Sequence, residues 1–380
     1  MFANRIRLFR VAGIEIAADL SWFLVLALVT WQLRRFFPTV EGGAPGLTPP
    51  AYWAMGLVAA LLLFASIVLH ELGHALTARR LGVPIRGITL FLFGGVAEMA
   101  DEPPTAKAEL LVAVAGPVVS VALGAGFLGL AGATTVAEGP APVVAVAAVL
   151  GVVNLALVAF NLIPAFPLDG GRVLRSLLWH WKGDLRWATR VSSRTGNALG
   201  LALIVFGVVV ALATGDLIGG LWLALIGMFV RSAARMSYQQ LLLRRALEGE
   251  PVARFMHSDP VTVPRAISVA DLVSDYVERH HHRIFPVVDG DRLVGCVSTK
   301  EVRALPRAEW DRQTVGALAE QCSGENTVPP DLDAMAALSL MSRTGRSRLL
   351  VAEGGRLLGI LSLKDLLKFF SLKMELEEAR

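Results

Sequence analysis

His70 and His74 stand four residues apart in the segment Ile67-Val-Leu-His70-Glu71-Leu-Gly-His74-Ala75. On an α-helix this spacing projects both imidazoles from one face, so both can reach a single metal ion. Glu71 lies beside them, placed to take a proton from a water held at such an ion. The pattern H-E-x-x-H also arises by chance, and the chain has seven histidines. Its setting adds weight, because it closes an uncharged run from Trp53 to Leu69. Ionisable groups at membrane depth are costly and default to a functional role. The bland alternative is a polar helix end at the bilayer interface.

Two histidines leave a catalytic zinc under-coordinated, since such sites take three protein ligands and keep one open position. His180 lies in a basic loop, and His257 and His280 to His282 lie in the charged C-terminal part. The best oxygen donor is Asp169, in Asn161-Leu-Ile-Pro164-Ala-Phe-Pro167-Leu-Asp169-Gly170-Gly171-Arg172. It ends a long uncharged stretch, and the prolines and glycines force an irregular turn that could aim a carboxylate back into a bundle. A turn aspartate before Gly-Gly is the ordinary alternative, and spacing alone leaves both open. His280-His281-His282 reads as a solvated helix end rather than a metal site. Cys296 reads as a core strand residue rather than a redox switch.

The elements that must position these groups are membrane-like. The chain is 54% hydrophobic and 18% charged, with a mean hydropathy of +0.57, whereas soluble domains hold about 25% charged residues. Nearly all the apolar character precedes residue 240. Uncharged stretches run from Leu20 to Leu33, Trp53 to Leu69, Leu110 to Val136, Gly139 to Leu168, Thr195 to Gly215 and Leu217 to Val230. A span needs about 20 mostly apolar residues. The first and last are short, but each can extend into its neighbours, Ile14 to Ala18 and Arg231 to Met236. About six helical spans are therefore expected. Val11 to Ala18 alternates weakly and could form a strand. Ile88 to Val96 is too short to cross as a helix and reads as a β segment lining an internal cavity, where its backbone polar groups find partners.

The net charge of +4 and pI near 9.3 could suggest a nucleic-acid partner, but the basic residues sit in alternate loops. The exception is Arg34-Arg35 at the far end of the first span, where long side chains could snorkel outward. Arg5, Arg7 and Arg10 precede the first run, Arg79, Arg80 and Arg86 follow the second, and Arg231, Arg235, Arg244 and Arg245 follow the last. That is the positive-inside pattern of a bilayer protein, which predicts both termini in the cytoplasm and no nucleic-acid binding. Only two cysteines occur, Cys296 and Cys322, which fits a reducing compartment. The first apolar run lacks a small-residue cleavage site and reads as a retained span in the cell membrane.

Beyond residue 250 the chain repeats itself. Arg292 to Glu301 (RLVGCVSTKE) aligns with Arg356 to Asp365 (RLLGILSLKD), an offset of 359 − 295 = 64 residues. Ile284 to Val288 matches Arg348 to Ala352, each preceded by a Thr-Val-Pro tripeptide. Two copies make a pseudo-symmetric pair rather than a solenoid.

HELGH and NLIPAFPLDGGR, together with Phe93-Gly94-Gly95 and Ala115-Gly116-Pro117, resemble the signatures of the site-2 protease family of intramembrane metalloproteases, over about residues 10 to 190. The resemblance implies that His70, His74 and Asp169 bind one Zn2+ and that Glu71 is the catalytic base. It also implies that Asn161, Pro164, Pro167, Gly94 and Gly95 help hold substrate. The compact core without a PDZ-like insertion is similar to the sporulation-type subgroup. The C-terminal repeat resembles a tandem pair of cystathionine β-synthase (CBS) domains. That resemblance implies that Ser362 and Asp365, with Ser298 and Thr299 in the first copy, could hold an adenine nucleotide; Glu301 replaces the aspartate there.

The expected fold is thus a multi-pass α-helical membrane protein with a short embedded β segment, followed by an α/β tandem CBS module. The expected domains are 1–240, 252–310 and 311–372. The expected activity is zinc-dependent hydrolysis of peptide bonds in transmembrane substrates, that is, regulated intramembrane proteolysis under CBS control. Single-pass membrane proteins, among them membrane-tethered transcriptional regulators, are the expected substrates, and a homodimer through the CBS pair is a further expectation. A CBS-regulated transporter or channel is the alternative, but it leaves the ligand spacing around Glu71 unexplained.

Overall fold

The computed structural model describes residues 5–39, 44–92, 94–99 and 102–378. The chain divides into two compact units, Met1–Gln239 and Gln240–Arg380. Phe93, part of the motif read above, lies outside the described residues.

The first unit opens with a hairpin of β1 (Arg5–Val11) and β2 (Ile14–Asp19), turned at Ala12 and Gly13, both at positive φ. Helix α1 (Leu20–Phe36) follows, capped by the Asp19 side chain, which accepts from the Ser21 N–H. Next comes α2 (Pro49–Arg80), which starts with prolines in its first turn, where no backbone donor is needed. A second hairpin, β3 (Ile85–Phe91) and β4 (Gly94–Met99), leads to α3 (Ala106–Val136), α4 (Ala141–Asn161), α5 (Asp169–Lys182), α6 (Leu185–Thr214) and α7 (Leu217–Leu247).

Among the described residues, five helices are long and apolar enough to cross a membrane: α2, α3, α4, α6 and α7. The first expected span, α1, has 17 residues, about 25 Å at the α-helical rise. It could not extend backwards as expected, because Ile14–Asp19 forms β2. The last did extend, to the 31 residues of α7.

The four strands form one sheet in the order β1-β2-β3-β4, with β2 and β3 parallel and the outer pairs antiparallel. The segment expected as one strand from Ile88 to Val96 is therefore parts of two. The chain reverses near Leu92, and Gly94-Gly95 opens the returning strand rather than ending the first. Ile14, Ile16 and Ala18 of β2 and Ile88 and Leu90 of β3 are buried with Phe64, Val68 and Leu72 of α2. The sheet thus lies on the helix that carries the two histidines.

In the second unit the repeat becomes structure. Strands β5 (Val263–Pro264), β6 (Ile284–Asp289) and β7 (Arg292–Ser298) recur as β9 (Thr327–Val328), β10 (Arg348–Glu353) and β11 (Arg356–Ser362), each 64 positions on. They join as β5-β6-β7-β11-β10-β9, with β8 (Glu320–Gln321) paired to β7. Each copy has its own core, one around Phe285, Val287 and Val297, the other around Leu349, Val351 and Leu361.

Candidate metal centre and active-site cavity

Helices α2 and α3 meet along one face of each, and the chemistry sits on that seam. His70 Nε2 and His74 Nε2 lie 3.1 Å apart. Asp169, the first residue of α5, places Oδ2 3.1 Å from His70 Nε2 and Oδ1 3.2 Å from His74 Nε2. Tetrahedral zinc with bonds of about 2.1 Å sets its donors roughly 3.4 Å apart, so the trio matches the spacing such an ion requires. Both imidazoles are buried, at 6% and 3% exposure.

Three residues of α3 at four-residue spacing shape this pair: Val112, Gly116 and Ser120. His74 Nδ1 lies 2.6 Å from the Val112 carbonyl oxygen. A carbonyl only accepts, so Nδ1 carries the proton and Nε2 keeps its lone pair for a metal. His70 Nδ1 lies 2.9 Å from Ser120 Oγ, leaving its Nε2 turned to the same point. Between them, a Cβ on Gly116 would sit 2.2 Å from His74 Nε2 and 2.6 Å from His70 Nε2. Only glycine leaves room there for the imidazole tips. The donor set and the glycine cradle fit a zinc ion.

Asp169 reaches the pair through the turn after α4, which contains a cis Phe166-Pro167 peptide. The carboxylate falls in the first turn of α5, where a negative charge is favoured by the helix dipole. Glu71 is oriented from the other side: the Ala97 N–H of β4 donates to its Oε2 at 3.1 Å. A Cβ at Gly95 would lie 2.7 Å from Glu71 Cγ, so β4 passes against this side chain only because it begins with glycine.

A cavity of about 340 Å3 opens beside the centre, lined by His70, Glu71, Gly94, Gly95, Asn161 and Pro167. Leu63, Phe64 and Leu157 contribute to its apolar wall. Of the residues read from sequence as holding substrate, Pro164 is the one the structure does not bring there; it is exposed in the turn. The polar partners Ser120 and Ser66, and a second asparagine on α4, Asn154, were missed. The available signal was Ser120 standing one turn beyond Gly116, and Asn154 standing alone in an uncharged stretch.

In the second unit, Ser298, Thr299 and Ser362 line a cleft of about 1460 Å3. Six cations share it, Arg283, Lys300, Arg303, Arg348, Lys364 and Lys368, and no acidic side chain lines it among the described residues. Asp365 instead turns back on its own helix start, where Oδ2 accepts from the Ser362 N–H at 3.2 Å. Glu301 does the same with the Ser298 N–H at 2.8 Å. Burial pushes the Cys296 thiol up to about 11, in keeping with a strand residue of the core.

Two imidazoles and a carboxylate, with a glutamate beside them, converge among helices long and apolar enough to cross a membrane. This donor set suits a metallohydrolase. Residues 58–138 and 125–207 match the family model "Peptidase family M50", and residues 252–307 and 325–372 match the CBS domain. Zinc metalloprotease Rip3 of Mycobacterium tuberculosis is 38% identical over 364 residues, covering 95% of this chain and 92% of that protein. Zinc metalloprotease MJ0392 of Methanocaldococcus jannaschii is 31% identical over 373 residues, covering 98% of each. A solved structure, the site-2 protease from the same archaeon, is 32% identical with a TM-score of 0.43, covering 61% of this chain and 94% of that one. The chain belongs to peptidase family M50, the site-2 proteases. It is a multi-pass membrane zinc metalloprotease that acts on membrane-embedded substrates and carries a CBS pair. The sporulation-type grouping has weaker support, since stage IV sporulation protein FB of Bacillus subtilis matches at 31% over only 40% of this chain.

Proposed function

We propose that His70, His74 and Asp169 hold one zinc ion and that Glu71 is the general base of peptide hydrolysis. The observation that carries this is the convergence of two Nε2 atoms and one carboxylate within 3.2 Å of one another. When bound, zinc supplies Lewis acidity, which polarises the scissile carbonyl and makes water acidic enough to ionise near neutral pH. Glu71, held by the Ala97 N–H, accepts the proton of the attacking water and returns it to the leaving amine. Asn161, Pro167, Gly94 and Gly95 line the space in which the substrate backbone must lie. Pro164 acts only through the shape of the turn.

A substrate helix must unwind to expose a carbonyl, and the backbone bonds it gives up must be replaced. Strand β4 is at the sheet edge, next to Glu71, and offers its open side for strand addition. Single-pass membrane proteins, including membrane-tethered transcriptional regulators, are the substrate class proposed here. The loop charges favour cytoplasmic termini and residence in the cell membrane. The CBS pair binds an adenine nucleotide, its phosphates among the cations of the cleft, and a homodimer forms through this pair.

The test is zinc content and cleavage of a single-span substrate by the purified full chain, with Glu71→Gln and Asp169→Ala alongside. Wild type should hold one zinc and cut, Glu71→Gln should keep the metal and lose cleavage by about 10³-fold or more, and Asp169→Ala should lose metal. Cleavage by Glu71→Gln at the wild-type rate would overturn the assignment.

A further inference from the structure

Helix α4 carries a second asparagine on the same face as Asn161, two turns earlier. Asn154 is wholly buried, at 0% exposure, and stands in the wall of the active-site cavity. Its amide orientation is fixed by bonds only Nδ2 can make. Nδ2 donates to the Leu150 carbonyl at 2.8 Å and to Ser66 Oγ at 3.4 Å. Ser66 in turn donates to the Leu62 carbonyl at 2.9 Å. Turning the amide over would set its oxygen against the Leu150 oxygen, so Oδ1 must face the other way. That Oδ1 has no partner among the described residues. A buried acceptor left so is costly, and a site built to receive a donor explains it.

The position states which donor. Ser66 precedes His70 by one helical turn, about 6 Å along α2. An extended peptide advances about 3.3 Å per residue. A substrate strand laid along α2, with its scissile carbonyl at His70, His74 and Asp169, therefore brings a backbone N–H near Asn154 about two residues away. This residue lies toward the N-terminal end of α2.

We propose that Asn154 is a substrate-positioning residue whose Oδ1 accepts a hydrogen bond from the substrate backbone N–H about two positions from the scissile bond. The proposal rests on the hydrolase site assigned above. It gives the cavity a reason to hold unwound substrate, because a helical segment keeps that N–H for itself. It also sets a specificity rule: proline, which has no N–H, is disfavoured at that substrate position.

The test uses the full-length protein and single-span substrates in which one backbone amide at a time is replaced by an ester, scanning three positions on the α2 N-terminal side of the cut. Wild type should lose about tenfold in kcat/KM with the ester near the second position and little at its neighbours. Asn154→Leu should lose about tenfold on the all-amide substrate and nothing more on that ester, with zinc content unchanged. A flat scan on wild type overturns the proposal, even should Asn154→Leu fail to fold. Losses that multiply overturn it as well, and leave Asn154 a packing residue. If no substrate is cut, or Glu71→Gln cuts as well as wild type, the hydrolase reading itself fails; a dead Glu71→Gln with a flat scan sinks only the role of Asn154.

Discussion

Gly116 has no side chain, and the two imidazole tips occupy the space a methyl group would take. Gly116→Ala should therefore lower zinc affinity by about 10- to 100-fold, the range seen when metal-site surroundings are disturbed. The loss should be larger than for Gly126→Ala on the same helix, where a Cβ meets nothing within 4 Å. Metal titration against a competing chelator measures both. The cysteines give a second prediction. With its thiol pushed up to about 11, Cys296 is thiolate in about one molecule per thousand at pH 8. Cys322 is exposed. Brief alkylation followed by mass spectrometry should modify Cys322 alone until denaturant is added; equal rates would contradict the packing of β7.

At the level of elements, β4 and α5 do the positioning. Ala97→Pro removes the N–H that holds Glu71 while leaving an edge strand that tolerates proline. Cleavage should fall about 10- to 100-fold with zinc retained, read as activity per bound metal. Helix α5 is tied to α3 by the buried pair of Arg175 Nε and Glu109 Oε1, 2.5 Å apart. Removing Glu109 leaves the buried Arg175 with only the part-exposed Glu102, 3.8 Å away, at a cost of up to about 3–5 kcal/mol. Glu109→Leu should thus lower the melting temperature and zinc content together, and the double variant with Arg175→Met should recover much of both. The sequence made α2 and its histidines plain, because an uncharged run ending in H-E-x-x-H has few other readings. It did not show the β3–β4 hairpin. The reversal at Leu92 has no Asn-Gly type turn; of the two glycines that follow, Gly94 is at positive φ and Gly95 makes room for Glu71. For Ile14 to Ala18 it offered both a weakly alternating strand and an extension of the first span, since an apolar run of that length suits either state; the structure takes the strand. Asp169 was readable as a candidate only, because nothing local tells a ligand from a turn residue.

For the whole molecule, the internal repeat was legible from identity alone, and the strands recur 64 positions apart as that identity requires. What repetition could not reveal was how side chains from both copies gather in one cleft, since that depends on how the copies pair. Lys300 and Lys364 occupy equivalent places in the two copies and line the same cleft. Reversing both to glutamate in the full chain should weaken adenine nucleotide binding by at least about tenfold. It should also abolish any effect of the nucleotide on cleavage while leaving zinc content alone. Calorimetry on the protein in bilayer discs measures the first, and a cleavage time course the second.

His70 and Asp169 are 99 residues apart in the chain. With the proposed ligands, the centre cannot exist while synthesis has reached only α2, nor until the turn after α4 has folded back and docked. A nascent chain therefore inserts into a bilayer full of single-span neighbours while carrying a motif with no third donor. On those ligands the chain gains its full donor set only once α5 has docked, and cannot cut its neighbours before then.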